Sequence, residues 1–258
     1  VWCEFVEWAD NPFLSKDEID GLDSSMSEEE LRTRRYGEFK ACSGLVYPEF
    51  DENKHVIEPF DFPFDWQNNI SIDPGLNNPL SAHWYCVDYD DTVYVVAEHF
   101  ESGKDVEYHS EAIKKKCDQI GWRRDNDGRI RALIDSAANQ KTLSSLKSVT
   151  ELFYDYGILV NPKVNKDLFS GIARVKEYLK NDRLYIFKTC TNLIRELKRY
   201  RWGDGDVPKK VDDHSLDELR YFIMSRPKPE KKDGGKSVIT IDKERLYRKI
   251  KRGRKNSR

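Results

Sequence analysis

Long apolar runs are missing from this chain. No stretch approaches the roughly 18 consecutive apolar residues that a membrane-spanning helix needs, and the opening Val1-Trp2-Cys3-Glu4 has neither the basic nor the apolar region of a secretory leader. Membrane and secretory readings are set aside on that ground. Cysteine is scarce too: Cys3, Cys42, Cys86, Cys117 and Cys190 are odd in number, widely spaced and never in a C-x-x-C pair. That argues against a disulfide framework and a cysteine-held zinc, and points to a reducing compartment. Internal repeats are lacking, and so is a phosphate-cradling G-x-x-x-x-G-K-[ST] loop. The nearest string, Gly234-Gly235-Lys236-Ser237, has Glu230 where the first glycine is required. No nucleotide binding and no ATPase activity are therefore expected of this chain.

What is present suits one folded domain with appendages: 258 residues, 38% hydrophobic, 12% aromatic and 35% charged. The net charge of −2 conceals an asymmetry, because residues 226–258 hold 14 Lys and Arg against 4 Asp and Glu. A basic tail on an acidic body suits a polyanionic partner, since Lys and Arg displace the counterions condensed on phosphates; a solvated tail is the alternative.

Three regions emerge. Residues 1–40 are acidic and mixed, with helix starts at Ser15-Lys16-Asp17-Glu18 and Ser27-Glu28-Glu29-Glu30, and form a connector. Residues 41–225 carry the fold, and 226–258 form the basic, flexible tail. Short strands are expected at 44–47 and 55–57 around a polar hairpin-like turn at 51–54. Next come a meander of three strands at 70–73, 81–88 and 92–100, a helix at 106–120 and a strand at 130–135. Helix and strand then alternate: helices at 140–156, 167–180 and 191–200, strands at 157–160 and 184–187, and a last helix at 213–225 with the apolar stripe Leu216, Leu219, Phe222 and Ile223. This order predicts an α/β fold, a mixed sheet covered by helices.

Three acids interrupt that pattern. Asp73 ends Ile70-Ser71-Ile72, Asp135 ends Ala132-Leu133-Ile134, and Asp217 sits beside the stripe of the last helix. Taken singly, each has a structural use: Asp73 opens the Pro74-Gly75 turn, Asp135 caps Ser136-Ala137, and Asp217 lies in the first turn of a helix with Ser215-Leu216-Asp217-Glu218 as a capping box. Taken together they suggest a metal centre. An acid at a buried strand end costs several kcal/mol of desolvation unless compensated, on the order of what a paired charge returns, and carboxylate oxygens are natural ligands of Mg²⁺ and Mn²⁺. On this reading Asp73 bridges two ions and Asp135 and Asp217 hold one each, for phosphodiester hydrolysis. Asp213 and His214 share a helix face with Asp217 and are further ligand or proton-carrier candidates.

These residues also carry a likeness. Gly37-Glu38-Phe39, Gly44 to Phe50, His55-Val56-Ile57, Ile72-Asp73-Pro74-Gly75, Ile134-Asp135-Ser136-Ala137 and above all Asp213-His214-Ser215-Leu216-Asp217-Glu218-Leu219-Arg220-Tyr221 resemble the C-terminal nuclease domain of bacteriophage large terminase subunits. The resemblance implies an RNase H-like (integrase-like) fold and an endonuclease that cuts double-stranded DNA with little sequence preference during phage genome packaging. It also implies Asp73, Asp135 and Asp217 as the metal-holding acids, portal protein and small terminase subunit as partners, and the host cytoplasm as the place of action. The family pairs this nuclease with a packaging ATPase, so the chain is expected to be an excised domain. Candidate DNA contacts are Lys163, Lys166, Arg174, Arg201 and Arg220, with the loop Gly203-Asp204-Gly205-Asp206 as a mobile cover or a plain turn. No base-reading motif appears, so such contacts position a duplex without choosing a sequence. Two rivals stay open: a non-catalytic DNA-binding or assembly module, and another RNase H-like nuclease such as a resolvase.

Overall fold

A computed structural model describes residues 12–25, 44–75, 77–139, 147–203 and 207–226. The chain divides into two compact units, Val1–Val46 with Arg201–Lys209, and Tyr47–Tyr200 with Lys210–Arg258. In the smaller unit, α1 (Lys16–Ser25) starts where the sequence signalled. The Ser15 amide and hydroxyl both donate to Glu18, and the Glu18 amide donates back to the Ser15 hydroxyl. Leu45 and Trp202 contribute only isolated bridges, Leu45 to Arg201 and Trp202 to Pro208, rather than the strand expected at 44–47. The second helix start, at Ser27, lies outside the described residues, as do 204–206 of the glycine-acid loop and the basic tail beyond Arg226.

The larger unit is built on seven strands among the described residues: β1 (Val56–Ile57), β2 (Gln67–Asp73), β3 (Leu80–Val87), β4 (Val93–Glu101), β5 (Ile130–Ile134), β6 (Ile158–Asn161) and β7 (Leu184–Phe187), in the order β1-β7-β4-β3-β2-β5-β6. The meander β2-β3-β4 is antiparallel and the outer pairings are parallel, a mixed sheet as expected. The acidic turn between β3 and β4 works as its residues dictate: Asp88 Oδ1 accepts the amides of Asp90 and Thr92 at 2.9 Å each. Covering helices are α2 (Glu52–His55), α3 (Val106–Gln119), α4 (Val149–Asp155), α5 (Leu168–Lys180), α6 (Thr191–Arg199) and α7 (His214–Ser225). None of the described helices is long and apolar enough to cross a membrane.

Two expectations need correcting. Residues 51–54 open a helical turn instead of a hairpin, because Asp51 Oδ1 caps it by accepting the Asn53 amide and buried His55 bonds the Leu179 carbonyl. β1 accordingly pairs in parallel with β7, far away in sequence. The helix expected at 140–156 is described only as α4, opened by a capping box between Ser148 and Glu151 and preceded by a 3-10 turn at Ser136–Asn139; residues 140–146 lie outside the described set.

The sheet register positions the acids. β2 and β5 pair Ser71 with Leu133 and Ile72 with Ile134, and the Asp135 amide donates to the Ile72 carbonyl at 3.3 Å. Asp73 and Asp135 therefore leave neighbouring parallel strands at the same level, on the face shared with Ser71. Helix α7 packs across that face: the Ser71 hydroxyl donates to the Glu218 carbonyl at 3.1 Å. The turn after β2 admits no side chain at Gly75, where a Cβ would lie 2.4 Å from the Asn78 carbonyl oxygen.

Candidate active site

Asp73 and Asp135 are each only 9% exposed. Burial pushes the Asp73 carboxyl above its ordinary range, and the charges of Asp217 and Asp135 add to the push while His214 opposes it. Thus three carboxylates from β2, the end of β5 and helix α7 share one electrostatic neighbourhood. The His214 ring places Nδ1 3.1 Å from Asp73 Oδ2, and this contact, ahead of the opposing burial, raises the His214 pKa. Asp213 stands at the N-cap position of α7, where burial and then the Asp217 charge push its carboxyl upward.

The other two acids are neutralised by cations of the chain itself. Lys166 Nζ donates to both oxygens of Asp135, at 2.6 and 2.9 Å, and the Tyr221 hydroxyl donates to Oδ2 at 3.3 Å. Burial alone would raise Asp135, but Lys166 and the Ala137 amide outweigh it and hold the carboxyl low. Arg220 donates to Asp217 Oδ1 at 2.5 Å. Gly171 on α5 makes room for that arrangement, since a Cβ there would stand 3.1 Å from Arg220 Cδ.

The donor set is chemically suited to a hard divalent ion: clustered carboxylate oxygens whose mutual repulsion a cation relieves. As the side chains stand, however, no group of three or more His, Cys, Asp or Glu among the described residues forms a ready metal cage. Two of the three acids are instead each paired with a resident cation, Asp135 with Lys166 and Asp217 with Arg220.

The candidate DNA cations separate by environment. Lys163 and Arg201 are exposed. Arg174 is exposed too, but paired with Glu177 at 2.5 Å. Arg220 does not fit the expected role, because its side chain is 7% exposed and its charge is spent on Asp217. Lys166 has a second use that the sequence did not suggest, as the counter-charge of Asp135. The capping box at Ser215, the structural alternative for Asp217, does not form. The helix begins at His214, the Ser215 hydroxyl turns inward to Ser81 at 3.4 Å, and Glu218 is fully buried against His83 and Tyr85.

Sequence reasoning missed Tyr221 as a partner of Asp135, and it missed the buried polar layer beneath α7. The one available signal was His83, a histidine inside a strand whose eight residues are all buried.

Comparison with known proteins agrees with this architecture. No curated protein matches the chain. Among solved structures, the large terminase of a thermophilic bacteriophage is 24% identical, with a TM-score of 0.65, over 84% of this chain and 54% of that one. The P22 large terminase nuclease domain is 20% identical, with a TM-score of 0.61, over 72% of this chain and 94% of that one. These likenesses establish the fold, and the chain spans about half the length of the thermophilic phage protein. The model of the terminase RNase H-like domain matches residues 70–226, from the strand that carries Asp73 to the end of the helix that carries Asp217, so the chain belongs to that family.

Proposed function

We propose that this domain is the nuclease of a phage large terminase: a divalent-metal-dependent endonuclease that cuts double-stranded DNA, with little sequence preference, during genome packaging. The observation that carries the proposal is geometric: the β2–β5 register sets Asp73 beside Asp135 at neighbouring strand ends, and the first turn of the helix that bears Asp217 reaches Asp73 through His214, whose Nδ1 lies 3.1 Å from Asp73 Oδ2. Membership of the terminase RNase H-like family supports the same reading.

In this proposal Asp73, Asp135 and Asp217 hold Mg²⁺ or Mn²⁺, two ions in all, with Asp213 as an auxiliary ligand. Bound metal would supply Lewis-acid polarisation of the scissile phosphate and a lowered water pKa. The chain's own residues do the rest. In this reading the β2–β5 register sets Asp73 beside Asp135, and α7, held on the sheet through the Ser71–Glu218 hydrogen bond, bears Asp217. The proposed proton carrier is His214, a role supported by its 3.1 Å contact with Asp73 Oδ2 through Nδ1. Lys163 and Arg174 are the proposed sequence-independent phosphate contacts of the larger unit, and Arg201 is that of the smaller. Portal protein and the small terminase subunit are the proposed assembly partners, in the host cytoplasm.

A second reading, a DNA-binding module without catalysis, draws on the ion pairs that already satisfy Asp135 and Asp217. Supercoiled plasmid incubated with Mn²⁺ or Mg²⁺, with and without chelator, decides between the two. Nicking that requires the ion supports the nuclease, and binding without nicking supports the module.

A further inference from the structure

Helix α7 and its N-cap carry Asp213, His214 and Asp217, yet the first turn has no cap of its own: Asp213 at the N-cap makes no side-chain capping bond. A helix start leaves amide donors exposed, and when buried they need an acceptor. Here the acceptor comes from another helix. Glu196 of α6, fully buried, takes the Ser215 amide on Oε2 at 2.8 Å. Its other oxygen, Oε1, makes no hydrogen bond and lies 4.0 Å from the Arg195 guanidinium. The carboxylate is thus committed to the start of α7, where it also meets the positive end of the helix dipole.

The same device holds α6. Its N-cap, Cys190, has no side-chain capping bond. Glu98 of β4 fills the role by accepting the amides of Asn192 and Leu193 at 3.1 and 2.9 Å and the Asn192 side-chain amide at 2.8 Å. The chain of contacts then closes on itself. Glu98 Oε2 lies 3.1 Å from His83 Nε2, and His83 Nδ1 lies 2.6 Å from Glu218 Oε1, back on α7. Strand β4 caps α6, α6 caps α7, and α7 returns through His83 of β3 to the residue that began the circuit.

We infer that Glu196 is a positioning residue for the active site, acting as the N-cap of α7 from a neighbouring helix and so setting where Asp213, His214 and Asp217 stand relative to Asp73 and Asp135. This rests on the metal-dependent reading of the site, so the test carries one readout that depends on metal and one that does not. Mn²⁺ affinity, followed by the EPR signal of the free ion, and hydrogen exchange of the Ser215 amide are measured on the 258-residue chain and on Glu196→Ala, Glu196→Asp and Glu196→Gln. Gln keeps an acceptor at the same reach, whereas Asp keeps the charge but falls short by one methylene. The expected result is roughly tenfold weaker Mn²⁺ binding and at least about tenfold faster exchange of that amide in the Ala and Asp variants, with Gln within about threefold of the parent. Unchanged exchange and affinity in Ala and Asp, or equal losses in Asp and Gln, would overturn the inference. The Asp and Gln pair keeps the test decisive even where Ala unfolds. Asp73→Asn is the control for the underlying reading. If it binds Mn²⁺ as tightly as the parent, the metal assignment fails by itself, and amide exchange still judges Glu196.

Discussion

The two faces of strands β2 and β3 are built from alternating residues of the same segments, yet they obey different physics. One face presents Ile70, Ile72, Ala82 and Trp84, all fully buried, with the Trp84 indole donating to Cys117 Sγ of α3 at 3.2 Å. It is an apolar layer whose stability comes from burial and packing. The other face presents Ser71, Asp73, Ser81, His83 and Tyr85 to α7, equally shielded from water but filled with hydrogen bonds and charges. Such a layer contributes less net stability, because desolvation offsets most of the attraction, but it tolerates few alternative arrangements. The lesson is a division of labour: the dry face holds the sheet, while the polar face fixes the helix that completes the acidic cluster.

Substitutions on each face can break that contrast. The largest effect is expected at the rim of the polar face. Asp73→Asn should reduce metal-dependent plasmid nicking by about a thousandfold or more while leaving the thermal midpoint equal or higher, since it removes a buried carboxylate already crowded by Asp135 and Asp217. Nicking assays beside thermal melts check both halves. On the dry face, Trp84→Ala should cost about 3–5 kcal/mol of unfolding free energy, read from denaturant titration, with any loss of activity following the loss of folded protein.

His83→Gln sharpens the comparison through pH. Although burial opposes its charge, the carboxylates of Glu218 and Glu98 raise the His83 pKa to about 9. A folded pKa above the unfolded value near 6.5 means that the stabilisation is complete below pH 6.5 and is lost as pH rises through 9. Glu196, pushed up by burial to about 7, acts in the same direction between its ordinary value of 4.5 and 7. The variant is expected to lose about 3–5 kcal/mol at or below pH 6.5 by stranding a buried charge, and the gap to the parent should narrow toward pH 9. Melts across that range would show it, and a constant gap would contradict the assigned pairing.

The smallest effect is expected at Gly171→Ala. Alanine favours the helix by about 1 kcal/mol, but its Cβ would press on Arg220 Cδ at 3.1 Å. The two roughly cancel in stability, so the change should appear instead as a nicking rate several-fold lower at unchanged melting temperature.

Much of the fold was legible from local pattern. The meander, β7 at Leu184–Phe187, and helices α3, α5, α6 and α7 fall within a few residues of where alternation, helical stripes and caps place them. The errors came where one local motif has two outcomes. Asp51-Glu52-Asn53-Lys54 is as good a helix cap as it is a turn, and only the buried contact of His55 with Leu179 decides it. Ser215-Leu216-Asp217-Glu218 has the spacing of a capping box, but packing against β3 draws Ser215 and Glu218 inward and leaves the helix start to Glu196.

Residue order alone determined that acids would terminate two apolar strands and open the last helix, because period and polarity are local properties of the chain. Which charge answers which acid was decided only in three dimensions. Lys166 comes to Asp135 from a loop 31 positions away, His214 to Asp73 from 141 positions away, and Glu196 to the start of α7 from a separate helix. A buried charge takes whichever partner packing brings within reach, and that choice is made by the register of β2 on β5 and by the seating of α7 on the sheet.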